Sequence, residues 1–180
     1  MSMEDPYIAC TDSLRKMGIN FVGIDFDQTF ITEHTHGHWK GSEEDLAPYA
    51  RVEFRKLIPV LIDHGINVAI VTFSAQRNLI EGVLRLVLGD VYTDKILIRA
   101  SDGSWGIGGT RDGKQKYLAS AAEEFERLIG IQITRSSSLL IDDDQQNIQI
   151  ALEKGVWAIW FVPEEPENLT AQILGLKEHM

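Results

Sequence analysis

The chain has 180 residues, 44% of them hydrophobic, with a formal net charge of −10 and a pI of about 4.9. That length and apolar content suit one domain with a sizeable core and exclude a disordered chain. The acidic balance makes nucleic acid and anionic membrane surfaces poor partners.

No secretory signal precedes Asn20, and no apolar run reaches membrane-spanning length. The single cysteine, Cys10, excludes an internal disulfide and fits a reducing, cytoplasmic setting, where it packs rather than reacts. Asp5 caps a helix over 6–17, with Pro6 in its first turn and Gly18 at its end. An apolar strand over 19–25 follows and stops at Asp25-Phe26-Asp27-Gln28-Thr29. Side chains two apart on a strand share a face, so the two carboxylates reach one small volume. Like charges that close call for a cation or a shared proton.

Residues 31–41 mix polar side chains with glycine and read as a hairpin or flap. His34, His36 and His38 alternate and would share a strand face. With no cysteine or carboxylate at ligand spacing, a solvated flap is favoured over a metal tract. One of these histidines and Trp39 are candidate substrate contacts. A helix is expected over 45–64, with Leu46, Phe54, Leu57 and Leu61 on its apolar face. Ser42 with Asp45 forms a capping-box pattern, while Pro48 argues for Asp45 as the cap. Pro59 is expected to kink this helix and Gly65 to close it.

Residues 67–72 are a continuous apolar run, a strand buried on both faces. Ser74 is expected to cap a helix over 75–88. A weaker strand over 95–99 leads to a glycine-rich loop, 101–113, which departs from the dinucleotide fingerprint at Arg111. Trp105 in that loop reads as a substrate contact or as packing. A helix over 114–129 follows. A strand over 138–141 ends in Asp142-Asp143-Asp144. A helix over 145–154 leads to a last buried strand over 156–161, which places Trp157 and Trp160 in the core. A C-terminal helix is expected over 168–177. Asp144 and Glu164-Glu165 read as solvated surface.

Alternating strands and helices imply an α/β chain, a three-layer Rossmann-like sandwich with a mostly parallel central sheet. Ligands of such sheets sit outside the C-terminal strand ends. Three strands end there in Asp25, Thr72 and Asp142-Asp143. Carboxylates, a hydroxyl and a lysine together suggest phosphate chemistry on a hard cation such as Mg2+. Asp25, Asp143 and the backbone carbonyl of Asp27 are candidate ligands. Asp25 could attack phosphorus, and Asp27 could protonate the leaving oxygen and then deprotonate water. Thr72 with the amides of Phe73 and Ser74 could bind the phosphate, and Lys114 could counter charge in the transition state.

Asp25-x-Asp27-x-Thr29, strand-terminal Thr72, Lys114, and Asp142-Asp143 with Asn147 resemble, in that order, the motifs of the haloacid dehalogenase superfamily, over about residues 20–161. The resemblance implies a nucleophile at Asp25, an acid/base at Asp27, and phosphate contacts at Thr72 and Lys114. It implies magnesium ligation by Asp143, with Asp142 as a ligand or its neighbour and Asn147 orienting the pair. Asp27 favours the phosphatase branch, and Phe26 stands where ion-pumping members carry lysine. Gln28 and Phe73 are departures, at places often held by glycine and by a small residue. Lys116 competes with Lys114, which Leu118 on the same helix face favours.

Residues 31–66 and 73–113 are used up by the flap, helices, strand and loop, which implies a single haloacid dehalogenase-like domain over 1–180 (core about 19–162) with no cap domain. The magnesium-dependent phosphatase group is similar in size and in its fourth motif. The implied activity is Mg-dependent phosphomonoester hydrolysis through an aspartyl-phosphate. A catalytically silent phosphate-binding scaffold and a phosphotransferase are the alternatives. Partners would be a phosphorylated small molecule or macromolecule, with a second copy of the chain as one way to shield the open site.

Overall fold

Five short apolar runs pair in parallel to form one sheet. They are β1 (Phe21–Ile24), β2 (Asn67–Val71), β3 (Leu97–Arg99), β4 (Ser138–Asp142) and β5 (Trp157–Trp160), in the order β3-β2-β1-β4-β5. The structure, a computed structural model, describes residues 4–106 and 108–176. Residue 107 of the glycine-rich loop and residue 177 of the expected C-terminal helix lie outside the described residues.

The helices are α1 (Pro6–Lys16), α2 (Glu43–Leu46), α3 (Val52–Asp63), α4 (Arg77–Leu88), α5 (Asp90–Thr93), α6 (Gln115–Ile129), α7 (Gln145–Glu153) and α8 (Leu169–Gly175). Strand side chains alternate between two layers, as the pleat requires. Val22, Ile24, Val68, Ile70, Leu139 and Ile141 pack with Leu14, Leu57, Ile80 and Ile173 from α1, α3, α4 and α8. Phe21, Ala69, Val71 and Leu140 face the other way, onto Leu118, Phe125 and Ile148 from α6 and α7. Helices therefore cover both faces, as a parallel sheet demands. No cap domain interrupts the core among the described residues. Gly23 in the central strand has a specific packing role. A Cβ there would lie 2.4 Å from Leu118 Cδ2, so α6 rests directly on the β1 backbone.

Several boundaries differ from the sequence reading. The helix expected over 45–64 is two helices. The Ser42–Asp45 capping box is present and starts α2. Pro48 has no N–H with which to continue it, so Ala47–Tyr49 tightens into a 3₁₀ turn. The chain then extends so that Ala50 bridges Ile31 and the Arg51 amide donates to Phe30 O. Helix α3 runs on through Pro59. Helix α4 starts at Arg77, not at 75. Ser74 Oγ accepts from the Gln76 amide at 3.1 Å and so closes a turn rather than capping a helix. The β5 residues expected in the core also differ, because β5 is an edge strand: Trp157 is only half-buried and Trp160 is 42% exposed. Cys10 is buried, and burial pushes its thiol up to about 11, which fits a packing residue.

Candidate active site

The C-terminal rim of the sheet gathers side chains from five places in the chain. Asp25 follows β1 directly, and its amide continues the ladder by donating to Ile141 O. Asp142 is the last residue of β4. Asp25, Asp142 and Asp143 each offer a carboxylate oxygen within 4.8 Å of the others'. Lys114, at the start of α6, reaches across the sheet to meet them. Its ammonium donates to Asp25 Oδ1 at 2.8 Å, to Val71 O at 2.7 Å and to Asp142 Oδ2 at 3.1 Å. All three ammonium protons are used, in a position 1% exposed.

The two adjacent aspartates of β4 differ. Asp142 Oδ2 accepts from Lys114 and from Asn147 Nδ2, and Oδ1 accepts from the Asp144 amide. Asp143 accepts from Thr29 Oγ1 at 3.2 Å, and the same hydroxyl lies 3.1 Å from Asp25 Oδ2. Thr29 has one proton to share between two carboxylates, so one of them is always left short.

Electrostatics follow from this. Burial pushes the Asp25 carboxyl up to about 7, with Lys114 pulling it back down and Asp143 adding to the rise. Burial and the Asp25 charge raise Asp142 to about 6, again against Lys114. Burial and Asp142 raise Asp143 as well. Burial alone would lower the Lys114 ammonium, but the Asp25 and Asp142 charges outweigh it and hold it above its usual range. Three carboxylates face one ammonium. The surplus negative charge, presented only on oxygen, fits a hard divalent cation. Asp25 and Asp143 have more lone pairs to spare than Asp142, which accepts from three donors.

Asp27, Thr72, Phe73 and Asn147 line the same cavity, which has a volume of about 150 Å3. Thr72 Oγ1 accepts from the Ser74 amide at 3.1 Å, so that amide is not free to meet a phosphate. The α4 N-terminus lies five residues beyond Thr72, too far along the chain to sit behind it. The Phe73 ring lies under Lys114, with Nζ 4.8 Å from its centroid, and the aromatic stack continues through Tyr117 to Trp105. Trp105 thus packs on Tyr117, and its indole N–H donates to Ala100 O. Lys116 turns away and donates to Gly108 O, so of the two lysines Lys114 is the one that reaches the rim. Asp144, besides being exposed, caps α7 through the Gln146 and Asn147 amides.

Asp27 sits in a five-residue turn, Phe26–Phe30, in which Gln28 is left-handed at φ 59°. Glycine is favoured there, and a side chain costs about 1 kcal/mol. Arg51 supports the turn by donating to Gln28 O and Pro163 O. The three histidines do not share a strand face. Residue 36 has φ 55°, which breaks the extended pattern, and His34 stacks on His36 with ring centroids 4.0 Å apart. His34 lines the cavity, although it is exposed.

Four residues near the site were missed by the sequence reading: Thr35, Arg51, Gln76 and Trp160. Thr35 hydrogen-bonds Asp27, Gln76 pairs with the backbone of Trp39, and Trp160 Nε1 donates to Asp143 O at 3.0 Å. Thr35, Arg51 and Gln76 lie on no periodic pattern or strand end, so no local signal marks them, while Trp160 ends β5 and was read as core.

No family model matches the chain, and no curated protein matches it. Among solved structures, it is similar to the N-terminal part of the protein BF1531 from Bacteroides fragilis, which contains a phosphatase domain and is complexed with Mg. The TM-score is 0.57 at 17% identity, over 94% of this chain and 43% of that one. The fold is haloacid dehalogenase-like. The chain spans less than half of the BF1531 structure, so that protein's other parts have no counterpart in this alignment. Two forms of the HAD domain of the effector protein Lem4 from Legionella pneumophila, one of them an inactive mutant, also align. Both are 20% identical, with TM-scores of 0.43 and 0.42, over 90% and 86% of this chain and 98% and 95% of those chains. The parallel-sheet core carries its acidic cluster at the sheet rim. Among its described residues, no helix is long and apolar enough to cross a membrane.

Proposed function

We propose that the chain is a magnesium-dependent phosphomonoester hydrolase that works through an aspartyl-phosphate on Asp25. One observation carries this reading: Asp25, Asp142 and Asp143 converge at the strand rim, where Lys114 pairs with Asp25 and Asp142 and negative charge is in excess. The likeness to a phosphatase domain complexed with Mg supports it at the level of the fold.

Each residue has a distinct task. Asp25 Oδ2 has only the shared Thr29 proton and is the oxygen free to attack phosphorus. Lys114 fixes Oδ1 and so aims the carboxylate. Asp142 holds Lys114 and is itself held by Asn147, which makes the two the frame of the site. Asp27 lies beside the cavity and serves as acid toward the leaving oxygen, then as base toward water. The Thr72 hydroxyl and Phe73 amide line the phosphoryl end. A magnesium ion on Asp25, Asp143 and the Asp27 carbonyl would keep Asp25 ionised and offset the phosphoryl charge.

p-Nitrophenyl phosphate with Mg2+ tests the reading. The wild-type chain should release nitrophenol, and Asp25→Asn should lower kcat by on the order of 10³-fold or more while the fold persists by circular dichroism. Full turnover by Asp25→Asn would refute the nucleophile. No turnover by the wild type at saturating Mg2+ would favour a silent phosphate-binding protein.

A further inference from the structure

Asp27 needs a fixed direction to act as acid and base, yet nothing on its own turn supplies one. Its backbone is extended, at φ −64° and ψ 129°, ahead of the left-handed Gln28. Among the described residues, the hydrogen bonds that reach its carboxylate come from Thr35, eight residues on in the flap. The Thr35 hydroxyl lies 2.8 Å from Asp27 Oδ1 and 3.0 Å from Oδ2, and the Thr35 amide donates to Oδ1 at 3.3 Å.

The Gly37 amide donates to Thr35 Oγ1 at 3.2 Å, which engages one of the hydroxyl's lone pairs and leaves its proton for Asp27. His34 does not compete. Its Nδ1 is 3.8 Å from Asp27 Oδ2 and accepts from the His36 amide at 3.0 Å, so it has no proton to give. Thr35 is only 7% exposed. The flap is in turn latched to the loop after β2. Gln76 Oε1 accepts from the Trp39 amide at 2.7 Å, and Gln76 Nε2 donates to Trp39 O at 3.0 Å.

Resting on the phosphatase reading above, we propose that Thr35 is a positioning residue for Asp27: the flap holds Oδ1 through both amide and hydroxyl, and Oδ2, which only the hydroxyl approaches, carries the catalytic proton. In the first step Asp25 bonds to phosphorus and the bond from phosphorus to the leaving oxygen breaks. That oxygen takes the proton of Asp27, which is left as a carboxylate. Water then attacks the aspartyl-phosphate and returns a proton to Asp27, releasing phosphate and restoring Asp25.

Acid assistance matters more for a poor leaving group, and this separates positioning from mere support. kcat/KM is measured for p-nitrophenyl phosphate and for phenyl phosphate, whose leaving oxygen is the more basic. Thr35→Ala should lower the phenyl phosphate value on the order of tenfold more than the nitrophenyl value, a part of the full worth of an acid catalyst. Thr35→Ser should restore the wild-type ratio, because it keeps the hydroxyl and the amide. Thr35→Val, which keeps the buried volume but not the hydroxyl, should match Thr35→Ala; a Thr35→Val variant with the wild-type ratio would trace the loss to a loosened flap and overturn the role of the hydroxyl. An equal fall on both substrates, or no fall, overturns the role of Thr35 while leaving the phosphatase reading intact. A wild-type chain that turns over neither substrate overturns that reading and this inference with it.

Discussion

Helix α6 borders two hollows of different character. Beside its first residue lies the polar cavity of about 150 Å3 that holds Asp25, Asp142, Asp143 and Lys114. Along its flank runs a larger cleft of about 490 Å3, with Leu118, Ala122, Ile133 and Val156 on its floor. Lys116, Arg135 and Lys154 at the rim of the larger cleft are met by Asp112, Glu123 and Glu126, and most of these are exposed. Charges there balance in water, where pairing is worth little. In the smaller hollow the charges are desolvated and do not balance. Under the proposed function, size therefore does not mark the reactive place. Buried charge that needs something further to neutralise it does.

Breaking the lysine at the small hollow should have the largest effect on this contrast. Lys114→Met leaves Asp25 and Asp142 buried without their cation, and should lower stability by about 3–5 kcal/mol in urea titrations. A cost under about 1 kcal/mol would show that the carboxylates do not depend on it.

A smaller effect comes from pH. Burial raises Asp25 to about 7 and Asp142 to about 6. A raised carboxyl binds its proton more tightly in the folded state. Its stabilising contribution is therefore complete below the ordinary range near 4 and is lost as pH rises through 6 to 7. The metal-free protein should melt at a lower temperature at pH 8 than at pH 5, and Mg2+ should raise the melting temperature more at pH 8 than at pH 5. A metal-independent slope would mean that the ion does not bind the ionised pair.

The least effect should come from the larger cleft. Lys116→Ala removes a half-buried ammonium bonded, among the described residues, only to Gly108 O, and should leave kcat/KM within about twofold. A loss on the scale of Lys114→Met would erase the distinction between the hollows.

What could be read from the sequence was what chain order and periodicity carry. The strands are apolar runs, and Gly18, Gly65, Gly130 and Gly155 after helices all adopt positive φ, so the punctuation marked real ends. Asp25, Thr72 and Asp142 could be placed because they end strands, and parallel strands bring such ends together. Pro48 was visible too, but its effect was misjudged: the pairing of Ala50 with Ile31 decides where α3 begins, and that contact joins residues far apart in the chain. Thr35, Gln76, Arg51 and Trp160 act through contacts of the same non-local kind. The Gln76–Trp39 pair spans 37 residues and the Arg51–Pro163 bond spans 112. A threonine that accepts from one amide and donates to an acid looks, in one dimension, like any polar loop residue.

Gly23 touches no reacting group, yet the missing methyl at that position works as a spacer setting. Asp25 stands two residues beyond it and is carried by the sheet, while Lys114 stands four residues before Leu118 and is carried by the helix lying on it. A wedge at position 23 would lift the helix and not the strand, so it would be felt first as a stretched ion pair. The clearance between two backbones, fixed by the smallest residue in the central strand, thereby gauges how far a lysine stands from the carboxylate it aims.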